Sequence, residues 1–194
     1  HASYRRQRQM CIRDRGSIMG KRSDFERKER DFYPTPEEAV LPLLPHIENY
    51  FQFIEPCAGD GALTMHLMKY KDCWCVLQSD IEPKDGVRKL DAFDIPNNLY
   101  THVDYCITNP PWDRKILHPL IEKLIEIAPT WLLFDADWIH TKQSIQYQKY
   151  LKKVVSIGRV KWIPGTKSVG KDNCCWYLFD KNYDKGVIEF HGKV

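Results

Sequence analysis

The sequence has no apolar run near the roughly 20 residues that a membrane-spanning helix needs, and it shows no secretory signal. Its seven cysteines lack the spacing of a disulfide framework, and no cysteine or histidine set has metal-site spacing. Neither charge sign dominates, because 29 basic residues stand against 26 acidic ones. These absences argue against a membrane protein, a disulfide scaffold and a zinc module. They favour a protein of the reducing cytoplasm with no metal.

The first 30 residues carry charge without apolar periodicity, so we expect a disordered or artefactual lead-in. The stretch MCIRDR, residues 10–15, is what translation of a transposon sequencing adapter gives, and we expect residues 1–18 not to be native. Those 18 residues hold five arginines and one aspartate. Without them 24 basic and 25 acidic residues remain, so net charge says nothing about nucleic acid. The alternative is a genuine basic arm that contacts phosphates.

Short apolar runs alternate with helical patterns, which predicts a mostly parallel α/β sheet with helices on both faces. The strand candidates are residues 50–56, 73–80, 87–93, 102–108 and 130–137. The clearest helix is 115–128, whose apolar residues form one continuous face, and a polar helix is expected near 142–152. The last strands flank the loop at 164–173 and predict an antiparallel hairpin, and 186–190 predicts an edge strand.

A strand running into Gly59-x-Gly61 and then into a helix is typical of a ligand-binding turn. The glycines let a ligand approach the backbone, and the helix start offers free N–H groups. Asp80 ends the next strand 19 residues after Gly61, near the spacing at which an acid reaches ribose hydroxyls. Asp91 ends the third strand candidate, where its carboxylate can accept a proton from an exocyclic amine. Glu55 adds negative charge that would repel a pyrophosphate, which argues against a dinucleotide.

Five motifs occur in an order that resembles the class I S-adenosylmethionine-dependent methyltransferases. They are YPTP (33–36), EPCAGDGAL (55–63), SDIEP (79–83), LDAF (90–93) and NPPW (109–112). Within that class the chain most resembles the enzymes that methylate adenine at N6 in DNA, small phage-encoded members included. The resemblance covers about residues 31–180. It implies a Rossmann-like class I methyltransferase fold and S-adenosyl-L-methionine as the cofactor.

The same resemblance assigns roles to individual positions of this sequence. It implies cofactor binding by Tyr33, Thr35, Glu55, Pro56, Cys57, Gly59, Gly61, Asp80, Ile81, Asp91 and Phe93. It implies that the catalytic tetrapeptide is Asn109, Pro110, Pro111 and Trp112. In one respect the chain departs from many sequence-specific DNA methyltransferases, which carry a separate target-recognition region. Gly61 and Asn109 lie only 48 positions apart, so we expect one methyltransferase domain over residues 31–194 without such a region.

The tetrapeptide suits the chemistry of an aromatic amine, whose nitrogen lone pair is delocalised into the ring. The side-chain oxygen of Asn109 and the carbonyl of Pro110 can each accept one N–H of that amine. The paired prolines hold both acceptors in place before the substrate arrives. Trp112 offers a flat face on which an extruded base can stack.

The sequence says less about which residues recognise the substrate than about which residues bind the cofactor. Arg159, Lys161, Lys167 and Lys171 lie in or beside the loop of the predicted hairpin and are candidates for phosphate contact. DNA is the expected partner, RNA or a protein glutamine is the alternative acceptor, and a recognition partner or a homodimer can supply what short loops lack. An alternative of another class is a non-catalytic module that binds the cofactor or nucleic acid.

Overall fold

The computed structural model describes residues 33–98, 102–163, 165 and 169–193, and the structural statements below refer to these residues. The predicted lead-in at 1–30 and the predicted phosphate contact Lys167 lie outside them. The described chain forms an eight-stranded sheet in the order β3-β2-β1-β4-β5-β7-β6-β8. The strands are β1 Tyr50–Glu55, β2 Asp72–Asp80, β3 Arg88–Lys89, β4 Tyr105–Thr108, β5 Thr130–Asp135, β6 Leu151–Arg159, β7 Asn173–Phe179 and β8 Glu189–His191.

The α-helices of the described residues are α1 Glu37–Val40, α2 Ala62–Tyr70, α3 Arg114–Ile125 and α4 Ile145–Gln148. Short 3-10 helices lie at Leu41–His46, Ala92–Asp94, Ala136–His140 and Lys142–Ser144. None of the helices described here combines the length and the apolar character that crossing a membrane requires.

The strand directions place several strand ends at one edge of the sheet. β1 pairs in parallel with β2 and β4, and β4 pairs in parallel with β5. β7 is antiparallel to both β5 and β6, so β6 points the same way as the parallel strands. The predicted mostly parallel sheet with an antiparallel C-terminal part is confirmed. The loops that follow β1, β2, β4, β5 and β6 therefore emerge at a common edge, called the carboxyl edge below.

The sheet is buried on both faces, which explains why its central strands read as continuous apolar runs. Along β5, Leu132 and Phe134 pack into one core cluster, while Trp131 and Leu133 pack into the other. Successive side chains of a strand point to opposite faces, so the two clusters lie on opposite sides of the sheet. The first cluster takes in the apolar face of α3, and the second takes in α1 and α2.

Two predicted elements differ from the structure. The polar helix expected near 142–152 is shorter: the 3-10 helix Lys142–Ser144 continues into α4, which ends at Gln148, and Leu151 already pairs with Phe179 of β7. Strand pairing of a buried leucine outweighs the local helical pattern. The third strand candidate, 87–93, shrinks to the two residues of β3, and Asp91 follows it as the N-cap of a 3-10 helix.

His118 of α3 serves as a hydrogen-bond acceptor in the first core cluster. Its Nε2 accepts from Nε1 of the fully buried Trp138 at 3.0 Å, which requires a neutral imidazole. Burial and then the charge of Arg114 lower the pKa of His118, while Glu122 opposes them. Because the pKa of His118 is lower in the folded than in the unfolded protein, its contribution to the free energy of unfolding is fully present above the unfolded-state pKa. That contribution is lost as the pH falls through the folded-state pKa.

The variant His118→Gln is expected to flatten the dependence of folding stability on pH. Glutamine keeps a polar acceptor but does not titrate, so the acid-driven loss of the Trp138 bond disappears. Urea unfolding at pH 7, 6 and 5 measures this, and the wild type should lose unfolding free energy more steeply than the variant. The exposed His140 provides the control variant, His140→Gln. Equal slopes for wild type and His118→Gln would contradict the assignment.

Candidate active site

The glycine-rich turn lies between β1 and α2 at the carboxyl edge. Gly59 and Gly61 have positive φ values of 57° and 80°, a conformation that side-chain-bearing residues rarely adopt. A Cβ added to Gly61 would lie 2.5 Å from Nε2 of Gln78, so a side chain there needs Gln78 to move. The turn is tied to β2 because the N–H of Ala58 donates to the carbonyl of Ser79 at 2.9 Å. Gly59 is buried and Gln78 fills the space beside Gly61, so it is the positive φ values that require glycine at both positions.

Asp80 ends β2 and holds the turn from the side. Its Oδ2 accepts from the N–H of Gly59 at 2.9 Å, and its Oδ1 accepts from the N–H of Glu82 at 2.8 Å. A carboxylate has about four acceptor positions, so two remain for hydroxyl groups of a ligand. Asp80 thus combines a structural role, which the sequence did not suggest, with spare acceptor capacity. Ile81, the next residue, is 49% exposed beside it.

The segment after β3 is joined to the end of β2. The N–H of Leu90 donates to the carbonyl of Asp80 at 3.0 Å, which brings the Asp91 region beside Asp80. Oδ1 of Asp91 accepts from the N–H of Phe93 at 2.9 Å. The ring of Phe93 is 43% exposed, although it follows the buried Ala92. Two acids and two exposed apolar side chains, Ile81 and Phe93, are therefore gathered at neighbouring strand ends.

Glu55 lies beneath the turn rather than at its surface. It is 1% exposed, and its Oε2 accepts from the N–H and from Oγ1 of Thr64, at 3.1 Å and 2.5 Å. Nε2 of Gln78 approaches the same oxygen at 3.5 Å. Burial raises the pKa of Glu55 to about 8, against the lowering effect of these hydrogen bonds. Glu55 and the buried Pro56 therefore support the turn and the first turn of α2 from inside.

The tetrapeptide that is predicted to be catalytic, residues 109–112, follows β4 and precedes α3. Nδ2 of Asn109 donates to Oγ1 of Thr35 at 3.3 Å, and Nε1 of Trp112 donates to Oδ1 of Asn109 at 3.4 Å. Pro110 is buried and Pro111 is half-buried. Asp113 then caps α3 by accepting from the N–H of Lys115 at 2.9 Å. The structure thus brings Thr35, from the distant YPTP segment, against the tetrapeptide.

Trp162 completes an aromatic group at this edge. Its ring centroid lies 5.9 Å from that of Trp112, with the planes at 82°, and 6.5 Å from that of Tyr33. Gly170 leaves room for it, since an added Cβ would lie 3.1 Å from Cδ1 of Trp162. The sequence analysis assigned Trp162 no role. The direction of β6 could have indicated a role for Trp162. A strand parallel to β5 ends at the carboxyl edge, so the residues that follow it lie there.

The candidate phosphate contacts flank this aromatic group. Arg159 ends β6, Lys161 follows it, and Lys171 precedes β7, all with exposed side chains. The N–H of Lys161 donates to Oε1 of Glu38 at 2.6 Å, which fastens the start of the β6–β7 loop to α1. The loop residues of the described chain therefore place positive charge at the carboxyl edge.

An ion pair links the start of α3 with the end of β5. Nη2 of Arg114 lies 2.8 Å from Oδ2 of Asp135, and both side chains are largely buried. Oδ1 of Asp135 accepts from the N–H of Asp137 at 2.9 Å, so the aspartate also caps the 3-10 helix that follows. The ion pair holds Arg114, two residues after Trp112, against the end of the central strand β5.

A cavity of about 550 Å³ borders the turn at Gly61. Met65, Met68, Gln78 and Val87 belong to its lining, whereas Asp80, Asp91 and Asn109 do not. We therefore do not assign the cofactor to this cavity, because the acids and the exposed Phe93 ring lie outside it. Among the described residues no group of three or more histidine, cysteine or acidic side chains is arranged to hold a metal ion.

Thr108 joins the glycine-rich turn to the tetrapeptide. It is fully buried at the end of β4, and its Oγ1 accepts from the N–H of Cys57 at 3.2 Å. The next residue is Asn109, so one hydrogen bond connects the glycine-rich turn with the tetrapeptide. Burial also raises the pKa of the Cys57 thiol, which favours the neutral thiol at this point.

The variant Thr108→Val is expected to weaken cofactor binding several-fold and to lower stability by about 1–3 kcal/mol, the cost of an unpaired buried donor. Valine keeps the volume but leaves the Cys57 N–H without an acceptor. Calorimetric titration with S-adenosylhomocysteine measures affinity, and urea unfolding measures stability. Thr130→Val is the matched control, since Thr130 is fully buried and Oγ1 donates to the carbonyl of Ala128 at 2.8 Å, at the start of β5. If Thr130→Val weakened S-adenosylhomocysteine binding as much as Thr108→Val does, a specific link between Thr108 and the cofactor site would be refuted.

Comparison by sequence finds no relative: no family model matches the chain, and no curated protein matches it. Comparison with solved structures does find similar folds. A "putative RNA methyltransferase" from Pyrococcus horikoshii has 18% identity and a TM-score of 0.56, over 78% of this chain and 88% of that one. A "putative class I S-adenosylmethionine-dependent methyltransferase" from Listeria monocytogenes has 12% identity and a TM-score of 0.55, over 97% and 72%.

The modification subunit of a "putative type I restriction enzyme" from Vibrio vulnificus is also similar, with 11% identity and a TM-score of 0.56. The match covers 97% of this chain but only 50% of that subunit, so the chain spans half of its length. Together with the strand order, these similarities show the Rossmann-like fold of the class I methyltransferases. S-adenosylmethionine is the cofactor that this fold leads us to expect.

Proposed function

We propose that this protein is an S-adenosylmethionine-dependent methyltransferase that methylates the exocyclic N6 amine of adenine in DNA. The observation that carries the proposal is the position of Asn109 and Pro110. They follow β4 at the carboxyl edge, are joined to the glycine-rich turn through Thr108, and are flanked by Trp112 and Trp162. This places two fixed acceptors, a stacking surface and a ligand-binding turn side by side.

The residues present fit the expected cofactor. Asp80 keeps acceptor positions that suit ribose hydroxyls, and Asp91 can accept from the adenine amine. The exposed side chains of Ile81 and Phe93 offer apolar surface to the adenine ring. Gly59 and Gly61 permit close approach of the amino-acid part, with Tyr33 and Thr35 on the same edge. Glu55, Pro56 and Cys57 support this arrangement from within the turn.

The mechanism uses hydrogen-bond acceptors rather than a strong base. The cofactor supplies an electrophilic methyl group. Oδ1 of Asn109 and the carbonyl of Pro110 accept the two N–H groups of the substrate amine, which favours a nitrogen whose lone pair points away from them. The amine nitrogen becomes positive as it is methylated, and the same two oxygens stabilise that charge. The methylated nitrogen then releases one proton to water, which leaves the neutral N-methyl amine.

The surroundings of the tetrapeptide suit a base turned out of a nucleic acid. Trp112 supplies an aromatic ring, and the ring of Trp162 lies 5.9 Å away and nearly perpendicular to it, so aromatic surface adjoins the tetrapeptide. The exposed cations Arg159, Lys161 and Lys171 lie at or next to the ends of β6 and β7 at the carboxyl edge, where they suit contact with a phosphate backbone. These features favour a nucleic acid over a protein glutamine as the acceptor.

RNA is the second candidate acceptor, and a specific observation favours it. The chain matches 88% of the Pyrococcus horikoshii protein described as a "putative RNA methyltransferase", but only 50% of the Vibrio vulnificus modification subunit. The described residues between Gly61 and Asn109 are largely taken up by strands and a helix, which leaves few loop residues there for reading a DNA sequence. Under the DNA proposal, a recognition partner or a second copy of the chain supplies that reading.

A methyl-transfer assay with isotope-labelled S-adenosylmethionine tests the proposal. Duplex DNA, single-stranded DNA, RNA and a protein extract are offered in separate reactions, and the products are digested and identified by mass spectrometry. N6-methyladenine from DNA is the expected product. Label confined to RNA or to glutamine would move the substrate to an alternative class. Cofactor binding without label in any pool would overturn the enzyme proposal in favour of a binding module.

A further inference from the structure

Two segments stiffened by proline meet at the carboxyl edge. Thr35 stands between Pro34 and Pro36, whose rings restrict the backbone on both sides of it. Asn109 stands directly before Pro110 and Pro111. The hydrogen bond from Nδ2 of Asn109 to Oγ1 of Thr35 joins the two segments. Thr35 is only 6% exposed, so water does not readily replace it as the partner of the amide.

The neighbours of Asn109 determine which way its amide points. The indole N–H of Trp112 can only donate, so the amide atom that faces it must be the oxygen. The nitrogen must then face Thr35, whose hydroxyl oxygen accepts. One acceptor position of Oδ1 remains open for a substrate N–H. An amide turned by 180° would instead present its own N–H groups to the substrate amine, which is also a donor.

The segment that carries Thr35 is anchored to the rest of the molecule, which fixes the position of the Thr35 hydroxyl. α1 begins two residues after Thr35, and the carbonyl of Ala39 in α1 accepts from the buried Nε1 of Trp176 at 2.7 Å. Glu38 in the same helix accepts from the N–H of Lys161. Contacts to β7 and to the β6–β7 loop thus hold the segment that carries Thr35.

We propose that Thr35 is a positioning residue that fixes the Asn109 amide with its oxygen toward the substrate amine, an inference that rests on the proposed methyltransferase function. Its acceptor lone pair serves Asn109. Its hydroxyl hydrogen stays available to donate to an anionic group of a bound cofactor. Thr35 can therefore affect cofactor affinity as a hydrogen-bond donor and turnover as a hydrogen-bond acceptor.

The test compares Thr35→Val, which keeps the volume but removes the acceptor, with Thr35→Ser, which keeps the hydroxyl. Both variants are assayed on the substrate that the wild type methylates, at saturating cofactor, and cofactor affinity is measured separately by calorimetry. The expected result is a fall in kcat of roughly tenfold or more for Thr35→Val, with Thr35→Ser within a few-fold of the wild type. Thr130→Val, a fully buried threonine at the opposite edge of the sheet, is expected to keep kcat unchanged.

Several outcomes would overturn the inference. An unchanged kcat for Thr35→Val with weaker cofactor binding would make Thr35 a cofactor contact alone. Equal losses for Thr35→Val and Thr35→Ser would show that packing, not the hydroxyl, matters. If circular dichroism shows that Thr35→Val is unfolded, Thr35→Ala takes its place under the same criteria. A wild type that methylates no acceptor would refute the proposed function itself, whereas an active wild type with an equally active Thr35→Val would refute only the role of Thr35.

Discussion

Asn109→Ala is expected to lower kcat for methyl transfer roughly 100- to 1,000-fold, the usual cost of removing one preorganised polar group from a reacting centre. The variant loses the side-chain acceptor for the substrate amine, while the carbonyl of Pro110 remains. Cofactor affinity should stay close to that of the wild type, since Asn109 contacts Thr35 and Trp112 rather than the glycine-rich turn. Steady-state kinetics with calorimetry separates the two quantities.

Two further variants sharpen this result. Asn109→Asp retains acceptor oxygens but cannot donate to Thr35, so its kcat is expected to lie between those of Asn109→Ala and the wild type. The exposed Asn182 gives a control, Asn182→Ala, with unchanged kinetics. A kcat for Asn109→Ala within tenfold of the wild type would remove Asn109 from the reacting centre.

Asp80→Asn is expected to weaken cofactor binding about 10- to 100-fold, the range that corresponds to losing a hydrogen bond to a charged group. The new amide NH₂ cannot accept, so either the N–H of Gly59 or that of Glu82 loses its partner. The glycine-rich turn loosens, and fewer acceptor positions remain for ribose hydroxyls. Titration with S-adenosylhomocysteine measures the affinity.

The matched control for this variant is Asp180→Asn. Oδ1 of Asp180 accepts from the N–H of Asn182 at 2.9 Å, the same two-residue turn that Oδ1 of Asp80 makes with Glu82. Asp180 follows β7, whose end lies at the edge opposite the turn. The control is expected to bind the cofactor as the wild type does. Equal losses in both variants would show a general effect on the fold rather than on the site.

The sequence was sufficient for features that depend on neighbouring residues. The strand, turn and helix around Gly59 and Gly61 follow from positive-φ positions flanked by a buried strand and a helical pattern. α3 follows from apolar residues at helical spacing. The parallel sheet follows from apolar runs that are buried on both faces.

The other features of the candidate site could not be predicted from the sequence, because they depend on how distant segments of the chain approach one another. Trp162 reaches Trp112 only because β7 reverses direction between β5 and β6, which no local pattern of residues reports. Thr35 and Asn109 are 74 positions apart, and their hydrogen bond requires α1 to be anchored on β7. The charge on Glu55 was expected to face a ligand. Glu55 is instead the last residue of the buried strand β1, where Thr64 of α2 covers its carboxylate and donates to it.

The central claim is transfer of a methyl group to the exocyclic amine of adenine in DNA. The most direct measurement uses two otherwise identical oligodeoxynucleotides, one with adenine and one with purine, which lacks the amine, at every adenine position. Each is incubated with the protein and isotope-labelled S-adenosylmethionine. Label in the adenine oligonucleotide alone, recovered as N6-methyladenine, is the predicted result. Equal label in both, or label in neither while an RNA of the same sequence is methylated, would contradict the claim.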